Sequence, residues 1–129
     1  MKTINIWYGH NKHILSNLSL RPFTYQNIKY KTVEHAYQTL KSGKFNKFIY
    51  DKDWKSGSKF RGNITDKQNN ITLMANLMLE SFKQNPKASK ALKDTGNDRF
   101  THNESKDIWK TTFPMILEDI RKIITNTEE

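Results

Sequence analysis

Three side chains on one predicted helix are of the types that do chemistry. In the segment TVEHAYQTLKSGKF, Glu34, Gln38 and Lys41 are spaced i, i+4, i+7, so they fall along one face across two turns. A carboxylate can act as a base or a counter-charge, and a neutral amine can act as a nucleophile. Ala36, Tyr37, Leu40 and Phe45 supply the apolar positions for packing. The same spacing suits a solvated face laced by a Glu-to-Lys ion network, and the pattern alone leaves both readings open. Other chemistries are excluded more firmly. The chain has no cysteine, which removes disulfides, thiolate metal sites and a thiol nucleophile. Of its four histidines only His10 and His13 stand at even a weak ligand spacing, so no metal and no cofactor is expected.

These residues must be positioned by a chain of 129 residues, the length of a typical domain with its own core. No internal repeat, linker or low-complexity block divides it, so residues 1–129 are expected to form a single domain. No apolar run approaches the roughly 18 residues of a membrane span, and MKTINIWYGH does not read as a signal peptide. A soluble, cytoplasmic protein with no membrane contact is expected. The net charge is +9. The first 64 residues carry twelve basic side chains against Glu34, Asp51 and Asp53, and the remainder ten of each sign. A positive face of that kind attracts polyanions. Eighteen lysines and thirteen asparagines also match the bias of an AT-rich coding genome, such as a phage's, which would explain the charge without a function.

The elements follow from periodicity and turn chemistry. INIWY reads as a short strand. PFTY and IKYKT, joined by Gln26-Asn27, read as a β-hairpin. Thr32 is placed to cap the helix that carries the stripe, and Gly43 stands near its end. The stretch IYDKDWKSGSKFRGN reads as a short helix and a loop. Asp66 is expected to cap a long helix with Ile71, Met74, Leu77, Met78 and Phe82 on one face. Asn85-Pro86 ends it and opens the next helix, KASKALKD, which Gly96 terminates. Arg99 to Thr101 suits a strand. Thr112 and Pro114 are expected to start a last helix whose apolar face is Ile116, Leu117, Ile120, Ile123 and Ile124. The sum is an α+β domain dominated by helices, with a small sheet and hairpin near the N-terminus.

Several of these segments, taken in order, resemble the NADAR (YbiA-like) family in a short form. The residues are Tyr8-Gly9, Ser16-Asn17, Pro22-Phe23, Tyr30, and Glu34-His35 with Gln38, Lys41 and Phe45. The resemblance continues at Arg61-Gly62, MANLMLESFKQNP, Thr95-Gly96 and THNESKDIW, and ends at FPMILEDIR. One departure is clear. Longer members follow the Asp-x-x-Trp run with glycines, whereas here Asp107-Ile108-Trp109 runs into Lys110-Thr111-Thr112-Phe113-Pro114. That rim is built differently, which bears on the nucleobase side of specificity more than on the chemistry.

The resemblance implies a YbiA-like fold and cleavage of an N-glycosidic bond. The implied substrates are ADP-ribose conjugates, including ADP-ribose on guanine in DNA or RNA or as a free nucleotide, or phosphoribosyl-pyrimidine intermediates of riboflavin synthesis. Breaking the C1″–N bond builds positive charge on the ribose, which a carboxylate stabilises. Glu34 fits that role or that of the base that opens the sugar. Lys41 fits as a nucleophile giving a Schiff base, provided its amine is neutral, well below the free value of about 10.4. Gln38 and Asn17 fit as contacts to the ribose or base, against the plainer roles of helix-surface amide and loop closure. Arg61-Gly62 suits a diphosphate, or an ordinary turn. Asp107 and Trp109 suit a base-stacking wall with a polar partner, against Trp109 as core. His102 suits a phosphate or carboxylate, against a structural histidine. Phe23 is carried over as a substrate contact. Trp7, Trp54 and the stripe from Met74 to Phe82 are assigned to packing.

Two other readings remain. The same pocket could recognise ADP-ribose or a related nucleotide without turnover, although a sequestering site has no need of an amine beside a carboxylate. A nonspecific basic RNA-binding domain would leave the Glu34 face unexplained and lacks any RNP, KH or zinc signature. Nothing in the sequence sets the oligomeric state.

Overall fold

The computed structural model describes residues 2–6, 13–52, 67–102 and 109–127. In chain order the elements are β1 (Thr3–Asn5), β2 (Phe23–Tyr25), β3 (Ile28–Tyr30), α1 (Val33–Leu40), α2 (Lys47–Tyr50), α3 (Lys67–Gln84), α4 (Pro86–Asp94), β4 (Arg99–Thr101) and α5 (Trp109–Thr127). The architecture is α+β and helix-rich. None of the described helices is long and apolar enough to cross a membrane. Trp7, Tyr8-Gly9, His10, Trp54, Arg61-Gly62, Asp107 and the expected Asp66 cap lie outside the described residues.

The strands form two separate pairs rather than one N-terminal sheet. β2 and β3 make the expected antiparallel hairpin, with Phe23 opposite Tyr30. Its two turn residues both take positive φ, 50° at Gln26 and 69° at Asn27, the geometry that matches the twist of the flanking strands. β1 instead pairs in parallel with β4, Ile4 opposite Phe100, and the pair is extended by Ile6 N–H to the Thr101 carbonyl at 3.0 Å.

α3 is the central packing element, in contact with α1, β2, α4 and α5. Met74, Leu77, Met78 and Phe82 from its expected stripe are buried, while Ile71 is only half-buried. Pro86 is at the N-terminus of α4, and Gly96 follows that helix at φ +59°, where its N–H reaches the Lys93 carbonyl at 3.0 Å. The start of α5 differs from expectation. The helix begins at Trp109, and Pro114 sits inside it. In an α-helix the N–H that proline lacks would have reached the carbonyl of exposed Lys110 in the first turn, where water can replace the bond. Ile116, Leu117, Ile120 and Ile124 of its apolar face are buried, but Ile123 is 48% exposed.

Residues 13–22 are held by a buried cation. Arg21 is 2% exposed. Its Nη1 donates to the carbonyls of Ile14 at 2.6 Å and Ser16 at 2.7 Å, and its Nε donates to the Ser81 hydroxyl at 2.9 Å. The guanidinium lies 4.4 Å from the centre of the Phe82 ring, a cation–π contact. Burial lowers its pKa to about 9, so it is still a cation at neutral pH. The loop on one side and α3 on the other are therefore joined through one side chain. Arg21→Met should keep much of the packing volume but leave two carbonyls and a hydroxyl without their donor. A stability loss of about 3 kcal/mol or more is expected in urea titration, and a loss below about 1 kcal/mol would mean the loop is held by other contacts.

Candidate functional site

The stripe on α1 is not a solvated face. Gln38 is 2% and Lys41 6% exposed, and Glu34 is half-buried. Thr32 caps the helix as expected, its hydroxyl accepting from the His35 N–H at 3.0 Å. The regular helix ends at Leu40, but Lys41 keeps helical angles as the C-cap, with φ −68° and ψ −12°. The three side chains thus stay on one line, with Glu34 and Lys41 separated by about 10 Å of helix axis. Gln38 Nε2 donates to Glu34 Oε1 at 2.7 Å, which orients the carboxylate.

Asn17 stands at the Glu34 end. Its carbonyl accepts from the Glu34 N–H at 3.0 Å, so the loop that Arg21 braces also closes the first turn of α1. Its Nδ2 donates to the Met74 sulfur of α3 at 3.3 Å. Its Oδ1 is buried with no hydrogen-bond partner. Such an orphaned acceptor is uncommon, since buried polar groups are nearly always paired.

At the other end the Lys41 amine lies 5.5 Å from the centre of the Tyr37 ring, and Tyr37 meets Trp109 edge-on at 5.6 Å. The first residue of α5 is thereby brought to the helix that carries the stripe. Beyond Lys41 opens a cleft of about 330 Å³, within the size range of small-molecule sites. The hairpin contributes Tyr25, Ile28 and Tyr30 to its walls, and the turn after α1 contributes Lys44 and Phe45. Asn69 and Asn70, early in α3, complete it. The cleft reaches Lys41 but is not lined by Glu34 or Gln38.

The structure therefore gathers Asn17, Glu34, Gln38, Lys41 and Trp109 around α1. Phe23 is not brought to this group; it is 2% exposed and packs in the core against Tyr30 at 5.9 Å. Phe45 is not helix packing either, being 42% exposed beyond the end of α1. His102 packs edge-on against Phe113 of α5 at 5.0 Å. Arg61, Gly62 and Asp107 lie outside the described residues. Two further residues belong to the site: Tyr37, the link between Lys41 and Trp109, and Asn70 in the cleft wall. Asn70 is 4% exposed and lies one turn before Met74 on the packed face of α3. A polar residue in register with an apolar stripe was the available signal. Among the described residues no group of three His, Cys, Asp or Glu side chains is placed to hold a metal ion.

The fold is YbiA-like. The solution NMR structure of the E. coli protein YbiA superposes with a TM-score of 0.79 at 17% identity, covering 99% of this chain and 89% of that one. No family model matches the sequence, and no curated protein does.

His35, next to Glu34, belongs to the scaffold. It is 8% exposed, stacks on Tyr50 at 5.1 Å and meets the Tyr50 carbonyl through Nε2 at 2.8 Å. A carbonyl only accepts, so Nε2 carries the proton, and Nδ1 is buried without a partner. Burial lowers its pKa, and Lys31 adds to this while the bond to Tyr50 opposes it. Burial also lowers the pKa of His13, whose Nδ1 accepts from the Leu15 N–H at 3.1 Å. Well above the ordinary value of about 6.5 both rings are neutral in the folded and the unfolded chain, so no stability depends on their titration there. As the pH falls below that value the unfolded chain binds protons first, and stability should drop until the depressed folded values are reached. Urea midpoints between about pH 7.5 and pH 5 should show this decline, and His35→Phe should flatten it in part, with His13 supplying the rest. An unchanged pH slope in His35→Phe would remove His35 from the account.

Proposed function

We propose that this chain is an N-glycosidase that removes ADP-ribose from a nucleobase conjugate, with guanine in nucleic acid or nucleotide as the leaving base. The observation that carries the reading is the burial of Lys41 and Gln38 on one line with Glu34. A solvated ion network would leave these side chains in water. Burial is the condition an amine nucleophile needs, because it disfavours the charged form. The resemblance of the segment around Glu34, Gln38 and Lys41 to the NADAR motif supplies the reaction class, and the YbiA-like fold is consistent with it.

The amine of Lys41 forms a bond to ribose C1″ as the C1″–N bond breaks, and the electron pair leaves with the base, which takes up a proton. Opening of the ribose ring at its ring oxygen turns the C1″–Nζ bond into a Schiff base. Water then adds at C1″, releasing ADP-ribose and restoring the amine, so that one water is consumed in all. Glu34 faces the positive charge that develops on the sugar, and it takes the proton that Nζ gives up and returns it to the ring oxygen as the ring opens. The helix spacing of about 10 Å leaves room for a ribose between the two groups. Gln38 holds the carboxylate in orientation, and the orphaned Asn17 Oδ1 is an acceptor for a ribose hydroxyl. Tyr37 and Trp109 form an aromatic wall at the Lys41 end, suited to a planar base. Asp107, Arg61 and Gly62 keep the base-side and diphosphate roles that the resemblance implies. No cofactor enters the reaction.

Mass spectrometry of ADP-ribosylated guanine in DNA, incubated beside a phosphoribosyl-pyrimidine, tests this. Release of ADP-ribose is expected, with a borohydride-reduced adduct on Lys41. Lys41→Ala and Lys41→Arg should both abolish turnover while ADP-ribose still binds, since neither replacement can form the adduct. Glu34→Gln should lower kcat by about 10²- to 10⁴-fold without unfolding the chain. Wild-type turnover in Lys41→Ala would sink the Schiff base. Tight ADP-ribose binding with no turnover on either substrate would leave a recognition module.

A further inference from the structure

The segment from Lys29 to Lys52, which lines much of the cleft through Tyr30 and through Leu40, Lys41, Lys44 and Phe45, presents a face with a composition that the proposed reaction does not use. Between Lys29 and Lys52 the chain carries six lysines against only Glu34 and Asp51. Lys41 is buried, and Asp51 is bound to Lys47 at 2.7 Å. Among the described residues no acidic side chain lines the cleft. Two aromatic rings stand in this stretch with much of their surface in water, Phe45 at 42% and Phe48 at 65% exposed. The Lys52 ammonium lies 4.3 Å from the centre of the Phe48 ring, so a ring face and a cation are presented together.

This face is built in advance. Phe45 packs against Tyr50 at 5.2 Å, and Tyr50 is itself stacked on His35. The Tyr50 hydroxyl donates to the Lys29 carbonyl at 2.7 Å, which ties α2 to the hairpin. Within the cleft, Tyr30 is 1% exposed and its hydroxyl is buried with no hydrogen-bond partner. Gln26, Asn69 and Asn70 line the same space. Amides and a phenol are groups that read the edges of a base, and an orphaned hydroxyl gives a base edge a partner to satisfy.

We infer that this face is a track for single-stranded nucleic acid, in which Phe45 and Phe48 stack on bases, Lys44 and Lys52 meet phosphates, and one base enters the cleft against Tyr30. The inference deepens the proposed function and rests on it for biological meaning, since it places the strand that carries the conjugate beside Lys41. Exposed rings among lysines are how proteins hold a single strand without reading its sequence. A duplex conceals the base faces that such rings require. A lipid surface would be met by a broad apolar patch, and it has no use for a cleft lined with amides.

The test is fluorescence anisotropy of the full chain with an unmodified, labelled single strand of roughly twelve nucleotides, between about 50 and about 200 mM salt. Phe48→Ala, whose ring is mostly exposed, should weaken binding about tenfold, and Phe45→Ala should weaken it comparably. Lys44→Ala should reduce the salt slope by about 0.7. Lys90→Ala on α4, where the lysine pairs with Asp94, should bind as the wild type does, and the matching duplex should bind more weakly. Absence of strand binding, or binding that ignores both phenylalanines, overturns the inference. So does Phe48-dependent binding to phosphatidylserine vesicles that the strand does not compete away. Turnover of ADP-ribosylated guanine, both as a free nucleoside and within a single strand, is measured in parallel. Turnover without strand binding defeats the track and leaves the glycosidase. Phenylalanine-dependent strand binding without turnover keeps the track and defeats the glycosidase.

Discussion

A guanidinium without a carboxylate is held in the interior only where enough oriented oxygens replace its water, and this requirement organises the site half of the molecule. Arg21 finds most of those oxygens in the carbonyls of Ile14 and Ser16 and in the hydroxyl of Ser81, while its Nη2 is buried without a partner. The first two belong to an irregular loop, so satisfying the cation fixes the path of that loop, and the third anchors it to α3. The chain then rejoins the hairpin through the Arg21 N–H and the Lys31 carbonyl. Along this fixed path Asn17 is delivered to the first turn of α1. Its carbonyl takes the Glu34 N–H while Thr32 takes that of His35. Two of the orphan donors at the helix start are thereby satisfied.

An eight-residue helix has little stability of its own, and α1 buries polar side chains as well as apolar ones. Most of these have internal partners. Thr39 returns its hydroxyl to the His35 carbonyl, His35 reaches across to Tyr50, and Gln38 turns to Glu34. Several buried polar atoms around this helix have no partner, His35 Nδ1 on α1 itself among them, and two of the others stand at the ends of the stripe. Asn17 Oδ1 and the Tyr30 hydroxyl are left without partners, one at the Glu34 end of the stripe and the other in the cleft at the Lys41 end. Each unsatisfied buried group costs about 1–3 kcal/mol. Where such a group faces a site, a ligand can restore the stability it costs.

Much of this was legible in the sequence because it is local. Gln26-Asn27 named the hairpin, Thr32 the start of α1, Pro86 the start of α4, and the spacing of Met74, Leu77, Met78 and Phe82 the buried face of α3. The parts that were not legible depend on distant partners. Nothing in TIN or RFT announces that β1 and β4 pair in parallel across nearly the whole chain. Arg21 counted as one more cation on a positive face, because a composition cannot show that carbonyls from its own loop will turn inward to meet it. The burial of Phe23 was not legible either, because a residue in a strand alternates between faces and its sequence neighbours do not say which face is the core side. Pro114 suggests a helix start in the sequence because a helix accepts proline readily in its first turn. Lys110 being exposed let the helix begin five residues earlier. Ile123 kept the helical period but lies near the end of α5, where the core no longer covers the whole face.

The geometry of α1 also limits how its stripe can work. Side chains at i and i+7 on a helix are separated by an axial distance that the backbone sets, and neither end of α1 is free to adjust. The Asn17 carbonyl and Thr32 hold the N-terminal turn. At the other end, the Asn46 N–H returns to the Thr39 carbonyl and the Gly43 N–H to that of Leu40, with Gly43 at φ +92° to allow the reversal. The carboxylate and the amine are therefore two fixed points with an amide between them. A ligand that engages both must have reactive and charge-bearing atoms at matching separation, as a sugar with a substituent at C1″ does. Rigid spacing of this kind converts binding into orientation. It also gives a reason for burying Gln38 and Lys41 on so short a helix, where an apolar face would have served packing better.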